Sequence, residues 1–453
     1  MTARTRAWTA RRRHGSLGLA ALLAALAASC ASSDGSSRVA DGLRERVGHE
    51  GRPDLDAASP LPPDVDPSDG LAADEAVAIA LWNDPSFLAL LGELGLARAD
   101  LAQAGRLRNP TLSFLIPVDP KQAEATLTAP LESWLTRGAR TRAARHELVA
   151  LGERIVDEGV RLAAAVESEC AELVAARDLA TLERRRAQLA RRAAELDEAA
   201  RRCGEASADE ASAARERALD AELAAARAEQ EAGRSTSRLR ARFGAAARSV
   251  PLEVVTAAPA LDALPDERRR ALAVEERPDV RAARLEVEAA SERVAAARAG
   301  RIPFALLADA NSDGEKGWEV GPGVALELPL FDDGSARVER AEAELLRARA
   351  RGDAIASAAT LEVERAVGEF TLAFERARRE RGERLPVRID RLAAARRARE
   401  RGVLSDRDVV RAELEAIEAE TAAVDSELAW RRASAAMTAA LGGDPRRLAA
   451  TAR

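Results

Sequence analysis

The sequence predicts a mainly α-helical protein with a small β part, built as two tandem repeats of long helical hairpins, and three observations carry that prediction. Alanine, arginine, glutamate and leucine dominate, 32% of residues are charged, aromatics make up 3% and tyrosine is absent. That composition belongs to long side-by-side helices. Two stretches, NPTLSFLIPVDPKQAEATLTAPLESWLTRG and RIPFALLADANSDGEKGWEVGPGVALELPLFDDG, instead alternate with a period of two, as strands with unlike faces do. The third observation is register. Pro85 and Pro110 are matched by Pro278 and Pro303 at an offset of 193, and Gly204 and Gly244 by Gly402 and Gly442 at an offset of 198. Self-similarity at so long a period is a fold-level signal.

The chain opens with Arg4, Arg6, Arg11, Arg12 and Arg13, followed by an apolar run from Leu17 to Ala28. Residues 1–29 read as a signal peptide, the run being too short to span a bilayer. Ala27, Ala28, Ser29 and Cys30 resemble a lipoprotein cleavage box in which Cys30 becomes the lipidated first residue; simple cleavage nearby is the other reading. Without the five arginines the formal charge of -6 becomes about -11, which argues against nucleic acid as a partner. Residues 30–70, rich in Ser, Asp, Gly and Pro, read as a flexible tether.

The first repeat is placed at 71–244, the second at 266–443, with an inter-repeat linker at 245–265 and a tail at 444–453. Helical periodicity runs from Leu71 to Leu107, then from Ala139 to Arg202, which at about 1.5 Å per residue is close to 100 Å. After the break CGEASAD a return helix covers Glu210 to Phe243. The second repeat repeats the scheme with Asp266 to Ala299, Arg337 to Arg401 and Asp406 to Leu441, Pro386 being expected to kink or split its long helix. In each repeat the first and return helices, end to end, match the long helix beside them. Cys170 and Cys203 fall on one long helix, too far apart for a disulfide.

The β-hairpins are placed at 110–135 and 302–331. In the second, Phe304, Leu306, Ala308 and Ala310 ascend and Val324, Leu326, Leu328 and Leu330 descend on one face. Four strands cannot close a barrel, so their edges call for oligomerisation. Strand lengths near 9 to 11 residues and the clustering of Phe114, Trp134, Phe304, Trp318 and Phe331 in the two windows suit a membrane interface. Both lysines, Lys121 and Lys316, sit at the hairpin tips.

No catalytic constellation is present: no phosphate-binding GxxxxGK[ST], no HExxH and no CxxC. Three histidines and two methionines give no metal-binding pattern, and His146 reads as a helix-surface residue. No enzyme activity, cofactor or metal is therefore expected. Gly204 and Gly402 supply the positive φ that reverses a helix. Asp406 and Asp408 open the helix that follows, where carboxylates suit the helix dipole.

The segments AVAIALWNDPSFLALLGELGLARADLAQAGRLRNPTLSF, LAVEERPDVRAARLEVEAASERVAAARAGRIPF, GVALELPLFDDGSARVERAEAEL and RARERGVLSDRDVVRAELEA closely resemble the TolC-like outer-membrane efflux family, over about residues 71 to 443 and in both halves. The resemblance implies a homotrimer whose three chains give four strands each to one β-barrel in outer-membrane lipid, continued by an α-helical tunnel across the periplasm. It also implies a passive exit duct working with a periplasmic adaptor protein and an inner-membrane pump, in efflux or type I secretion, with Cys30 similar to the anchor of the lipoprotein branch. The turns at Gly204 and at Gly402, Val403, Leu404 and Ser405 are then adaptor-docking tips. Asp406 and Asp408 become a gate of paired carboxylate rings; Arg411 stands where the family often has a further acid and is placed to pair with Asp408. The alternative is a lipid-anchored periplasmic coiled-coil scaffold whose hairpins do not cross the membrane.

Overall fold

The computed structural model describes residues 34–52, 59, 61–63, 65–66, 70–116, 123–255, 266–312 and 317–447. Its helices are α1 (Asp34–Arg46), α2 (Ala73–Asn83), α3 (Pro85–Ala104), α4 (Glu132–Arg202), α5 (Ala208–Arg242), α6 (Glu267–Glu275), α7 (Pro278–Ala299), α8 (Ser335–Arg379), α9 (Leu385–Glu400) and α10 (Asp406–Ala440). Its strands are β1 (Leu71–Ala72), β2 (Thr111–Leu115), β3 (Ala123–Pro130), β4 (Val254–Val255), β5 (Phe304–Ser312) and β6 (Trp318–Leu326). The spine is α4, 71 residues without a proline. It packs along α5, α7 and α10, with α2 and α3 beside it.

Alanine is what lets these helices approach. Ala187, Ala190, Ala218, Ala221 and Ala225 pack α4 on α5, and a side chain with no rotamers to freeze costs little to bury. The main core lies at mid-rod, where Ile79, Leu81, Phe87, Ile155, Leu173, Leu239 and Phe243 are almost wholly buried. A second, smaller core sits on the other repeat, with Val363, Phe370 and Met437. Phe374 joins it, stacked at 6.1 Å on Phe370 and edge-on at 5.5 Å to Trp430.

Four sequence expectations need correction here. The helix expected from Leu71 to Leu107 is two, α2 and α3, bent by 49° at Asp84. Asp84 caps the second of them by accepting from the backbone N–H groups of Ser86 and Phe87, and Pro85 takes the first helical position, where its missing N–H costs nothing. The helix expected from Asp266 to Ala299 likewise breaks before Pro278. Leu328 and Leu330 lie beyond the end of β6 at Leu326, because Pro329 cannot donate to a ladder.

The tether is the fourth correction. Residues 34–46 form α1, and Val39 and Leu43 are buried against the main core. Leu43 enters a notch made by Gly159, where a Cβ would stand 2.3 Å from the leucine Cδ2. The inter-repeat segment does pack on the rod: Val250 and Leu252 are buried and β4 pairs in parallel with β1. Pro386 is preceded by a five-residue π turn, Glu380–Arg384, that joins α8 to α9. A π winding at the break is one of the recognised ways a helix absorbs a kink.

The second sheet has four antiparallel strands in the order β2-β3-β5-β6, so the two hairpins join through β3 and β5. Strands β2 and β6 are its open edges. Cys30, Pro117, Pro120, Lys121 and Lys316 lie outside the described residues.

Candidate functional site

The register of the four-stranded sheet sorts its side chains by chemistry. Leu112 pairs with Leu127, Leu127 with Ala308 and Ala308 with Pro322; Phe114, Ala125, Ala310 and Val320 make the next row, and Ala129, Leu306 and Val324 another. Directly paired residues share a face, so one face is apolar from edge to edge. Among the described residues nothing covers it: Leu112 is 68% exposed, Val320 72% and Val324 68%. Phe114 and Trp318, from the two edge strands, approach with ring centroids 6.3 Å apart. The opposite face holds Ser113, Glu124, Thr126, Asp309, Asn311 and Glu319 alongside Leu115 and Leu307, and is the more polar of the two. There Thr126 donates to Asp309 at 2.7 Å and Asn311 donates to the other Asp309 oxygen at 2.8 Å, beside an open hollow that Glu319 also lines.

At the other end of the rod, the turns after α4 and α9 lie side by side. Gly204 (φ +79°) and Gly402 (φ +74°) take the left-handed conformation that ends each helix. No atom would meet a Cβ at either position, so conformation alone calls for glycine. Val403 is 73% exposed at the second turn, with Leu404 partly covered beside it.

Each turn is followed by the same capping box. Ser207 and Glu210 form it ahead of α5, and Ser405 and Asp408 ahead of α10. The Ser405 N–H donates to Asp408 at 3.1 Å, its hydroxyl donates at 2.7 Å, and these bonds hold the Asp408 carboxyl below its usual range. Arg399 pairs with Asp406 and lowers that carboxyl too. Within the protomer, both acids expected at a gate thus have partners that favour the charged form. Arg411 lies 3.9 Å from Asp408, on the other side of the carboxylate from Ser405.

Sequence reasoning missed the link between the two turns. Arg407 reaches from the start of α10 to Asp197 near the end of α4, with Nε 3.0 Å from the carboxylate. Arg185–Glu420 at 3.0 Å and Arg432–Glu172 at 2.9 Å continue this seam between the repeats. No motif signals such pairs, since they depend on the relative register of two helices some two hundred residues apart. His146, expected at the surface, is 3.0 Å from Glu288 on α7. Cys170 is buried, which pushes its thiol pKa up to about 12 and leaves it inert. Cys203 is exposed at the first turn. Among the described residues no group of His, Cys, Asp and Glu side chains is placed to hold a metal, and no single helix is long and apolar enough to cross a membrane.

Comparison with known proteins shows what the arrangement is similar to. Residues 270–443 match the family model described as outer membrane efflux protein. No curated protein matches the chain. Solved structures share its fold at low identity. A membrane protein from Pseudomonas aeruginosa is 21% identical with a TM-score of 0.68, covering 82% of this chain and 90% of its own. The outer membrane protein VceC from Vibrio cholerae is 20% identical with a TM-score of 0.65, covering 82% and 96%. The MtrE outer membrane channel of Neisseria gonorrhoeae is 17% identical with a TM-score of 0.65, covering 83% and 90%. Residues 270–443 thus match the sequence pattern of outer membrane efflux proteins, and the chain as a whole shares the fold of these solved outer-membrane proteins.

Proposed function

We propose that three copies of this chain close a twelve-stranded barrel in the outer membrane and serve as the passive exit duct of a tripartite efflux or secretion system. The observation that carries this reading is the four-stranded sheet, with one face apolar and uncovered, the other more polar, and two open edges. An uncovered apolar face of that size is costly in water and favourable in lipid, and in lipid no strand edge can be left unpaired. Closure by further copies satisfies both demands and turns the polar face, with Glu124, Asp309 and Glu319, toward the lumen.

Lipidation of Cys30 would hold the amino terminus at the same membrane. The tips at Gly204 and Gly402–Ser405 would meet the adaptor, which connects the duct to an inner-membrane pump. Gating belongs, on this reading, to the start of α10, where Asp406, Asp408 and Arg411 lie beside the Arg407–Asp197 link between the repeats. Asp408 would then serve as cap and gate at once.

Membrane fractionation tests the core of the proposal. The full chain is expected to resist carbonate extraction, migrate heat-modifiably and conduct in planar bilayers. Deletion of residues 109–131, which removes β2 and β3, is expected to abolish trimer and insertion together. A stable inserted trimer after that deletion would overturn the barrel. A full chain that Cys30→Ala alone releases from the membrane would show a lipid-anchored scaffold.

A further inference from the structure

The two outer strands of the four-stranded sheet stand on feet of opposite charge. Residues 105–110, which lead from α3 into β2, hold Arg106 and Arg108 and no acid; residues 327–334, which lead from β6 into α8, hold Glu327, Asp332 and Asp333 and no base. Within the protomer most of these charges stay free. Arg106, Glu327 and Asp332 are exposed, and among the described residues none of the three has an ion-pair partner. Arg108 reaches Glu132 at 3.3 Å, yet its side chain is 70% exposed. Asp333 is the exception, paired with Arg301 at 2.5 Å.

Both feet are fixed to the rest of the protomer. Arg137 on α4 donates through Nε to the Gly105 carbonyl at 2.7 Å and holds the start of the first foot. The second is held by Arg301, whose Nε donates to the Asp333 carbonyl at 2.8 Å, and by Asp332, which accepts from the Gly334 N–H at 2.8 Å. Strand β2 runs away from the rod and β6 runs back to it, and these are the two edges that a ring of identical copies joins head to tail. That joint is antiparallel like every other in the sheet, so it sets the rod ends of β2 and β6 side by side. We propose that Arg106 and Arg108 pair with Glu327 and Asp332 of the partner subunit, a charged seam that closes the barrel where it meets the rod; the inference rests on the trimeric reading above.

What the seam supplies is choice of partner. An open strand edge offers its N–H and C=O groups to any other edge, so backbone bonding alone lets β2 join a second β2 as readily as a β6. Opposite charges at the feet favour the β2–β6 joint, while β2–β2 and β6–β6 joints set like charges against each other. The feet lie at the rod side of the apolar sheet face, in water, so pairing them costs little desolvation and adds little stability per pair. Their effect falls on which edges meet.

Cysteine pairs in the full chain, carrying Cys203→Ser, test the placement. Arg108→Cys combined with Glu327→Cys or with Asp332→Cys is expected to give disulfide-linked trimers. Within one copy these positions lie across three strand spacings, about 14 Å, too far for a bridge. Charge reversal tests the pairing. Arg106→Glu with Arg108→Glu, and separately Glu327→Arg with Asp332→Asn, which keeps an acceptor for Gly334, are each expected to speed trimer dissociation in detergent about tenfold, three modest surface pairs acting together. All four changes combined should bring the rate back to within about threefold of the parent. An inserted, conducting trimer that forms no crosslink with either pair would overturn the seam and leave the barrel standing. So would reversals that do not compensate each other. Losses confined to the arginine variant, and dependent on anionic phospholipid in the vesicles, would assign Arg106 and Arg108 to lipid headgroups instead. A parent chain that forms no trimer overturns the barrel and the seam together.

Discussion

The two repeats solve the same problem at mid-rod with opposite charges. In the first, the residue before the helix-starting proline is Asp84, 4% exposed in its side chain, which caps α3 and lies 3.4 Å from Arg242. Arg242 also pairs with Glu169 on α4 at 2.9 Å. In the second, the corresponding residue is Arg277, 1% exposed, which pairs with Glu362 on α8 at 2.9 Å and with Asp279 at 2.7 Å, and donates to the Ala440 carbonyl. Glu169 and Glu362 stand at the repeat offset of 193, as do Asp84 and Arg277, while Arg242 is replaced by Ala440 at the offset of 198. The glutamate keeps its place and the arginine moves from the return helix to the turn.

That exchange makes one junction far more dependent on a single side chain than the other. Arg242 is about one-third exposed, and Asp84 keeps its bonds to Ser86 and Phe87 if the arginine leaves. Arg277 is enclosed, and its removal leaves two carboxylates and a carbonyl facing each other. The largest expected effect is therefore Arg277→Met, at about 3–5 kcal/mol, against about 1 kcal/mol for Arg242→Met. Urea unfolding of the two variants decides it, and equal losses would mean that the junctions are equivalent after all.

Glycines sharpen the contrast in the other direction. Gly244 (φ +45°) lies against the first junction so closely that a Cβ would stand 2.4 Å from the Asn83 carbonyl oxygen. At Gly442 (φ +74°) the nearest atom is the Arg277 Cγ, at 3.1 Å. A backbone oxygen cannot yield as a side chain can, so Gly244→Ala is expected to cost about 2–4 kcal/mol and Gly442→Ala about 1–2 kcal/mol. Thermal unfolding in the same detergent would rank them, and a larger loss at Gly442 would reverse the comparison.

Asp84→Ala removes the cap of α3 and is expected to cost about 1–2 kcal/mol, whereas Asp84→Asn, which still caps, should lose less than half of that. An asparagine as damaging as alanine would locate the contribution of Asp84 in its pairing with Arg242. The smallest effects belong to the tips. Gly204→Ala and Gly402→Ala meet no neighbouring atom and are expected to cost about 1 kcal/mol each, from the positive φ alone. Because the two turns share one conformation, unequal losses in a stability assay would point to contacts that only the assembled protein makes.

What the sequence made legible, and what it hid, follows the same line. The hairpins declared themselves because period two persists through Phe304–Ala310 and Ala123–Ala129, and the tips because Gly204 and Gly402 stand between helical runs. The break at Asp84 did not, since a proline at the first position of a helix reads like one inside it; the cue was Asn83-Asp84 ahead of Pro85, a capping residue in the right place. Helix α1 hid within a Ser- and Gly-rich stretch, though Val39, Leu43 and Val47 recur at intervals of four. Asp408 was legible as a helix-start acid, but its partner Ser405 was read only as part of a docking tip. Arg407–Asp197 depends on how distant segments meet, which no local pattern encodes.

The π turn at Glu380–Arg384 falls where the spacing of matching landmarks changes. From Glu169 to Gly204 there are 35 positions, and from Glu362 to Gly402 there are 40, so the second repeat carries five extra residues between matching landmarks. Five α-helical residues advance the chain by about one turn plus 140°, which would swing every side chain beyond them out of phase with the first repeat. A wider winding absorbs part of that excess rotation locally. The serine-acid boxes of the two tips, Ser207 with Glu210 and Ser405 with Asp408, still come out at one common spacing of 198. The chain has thus lost strict periodicity in one helix while the two tips keep one common spacing.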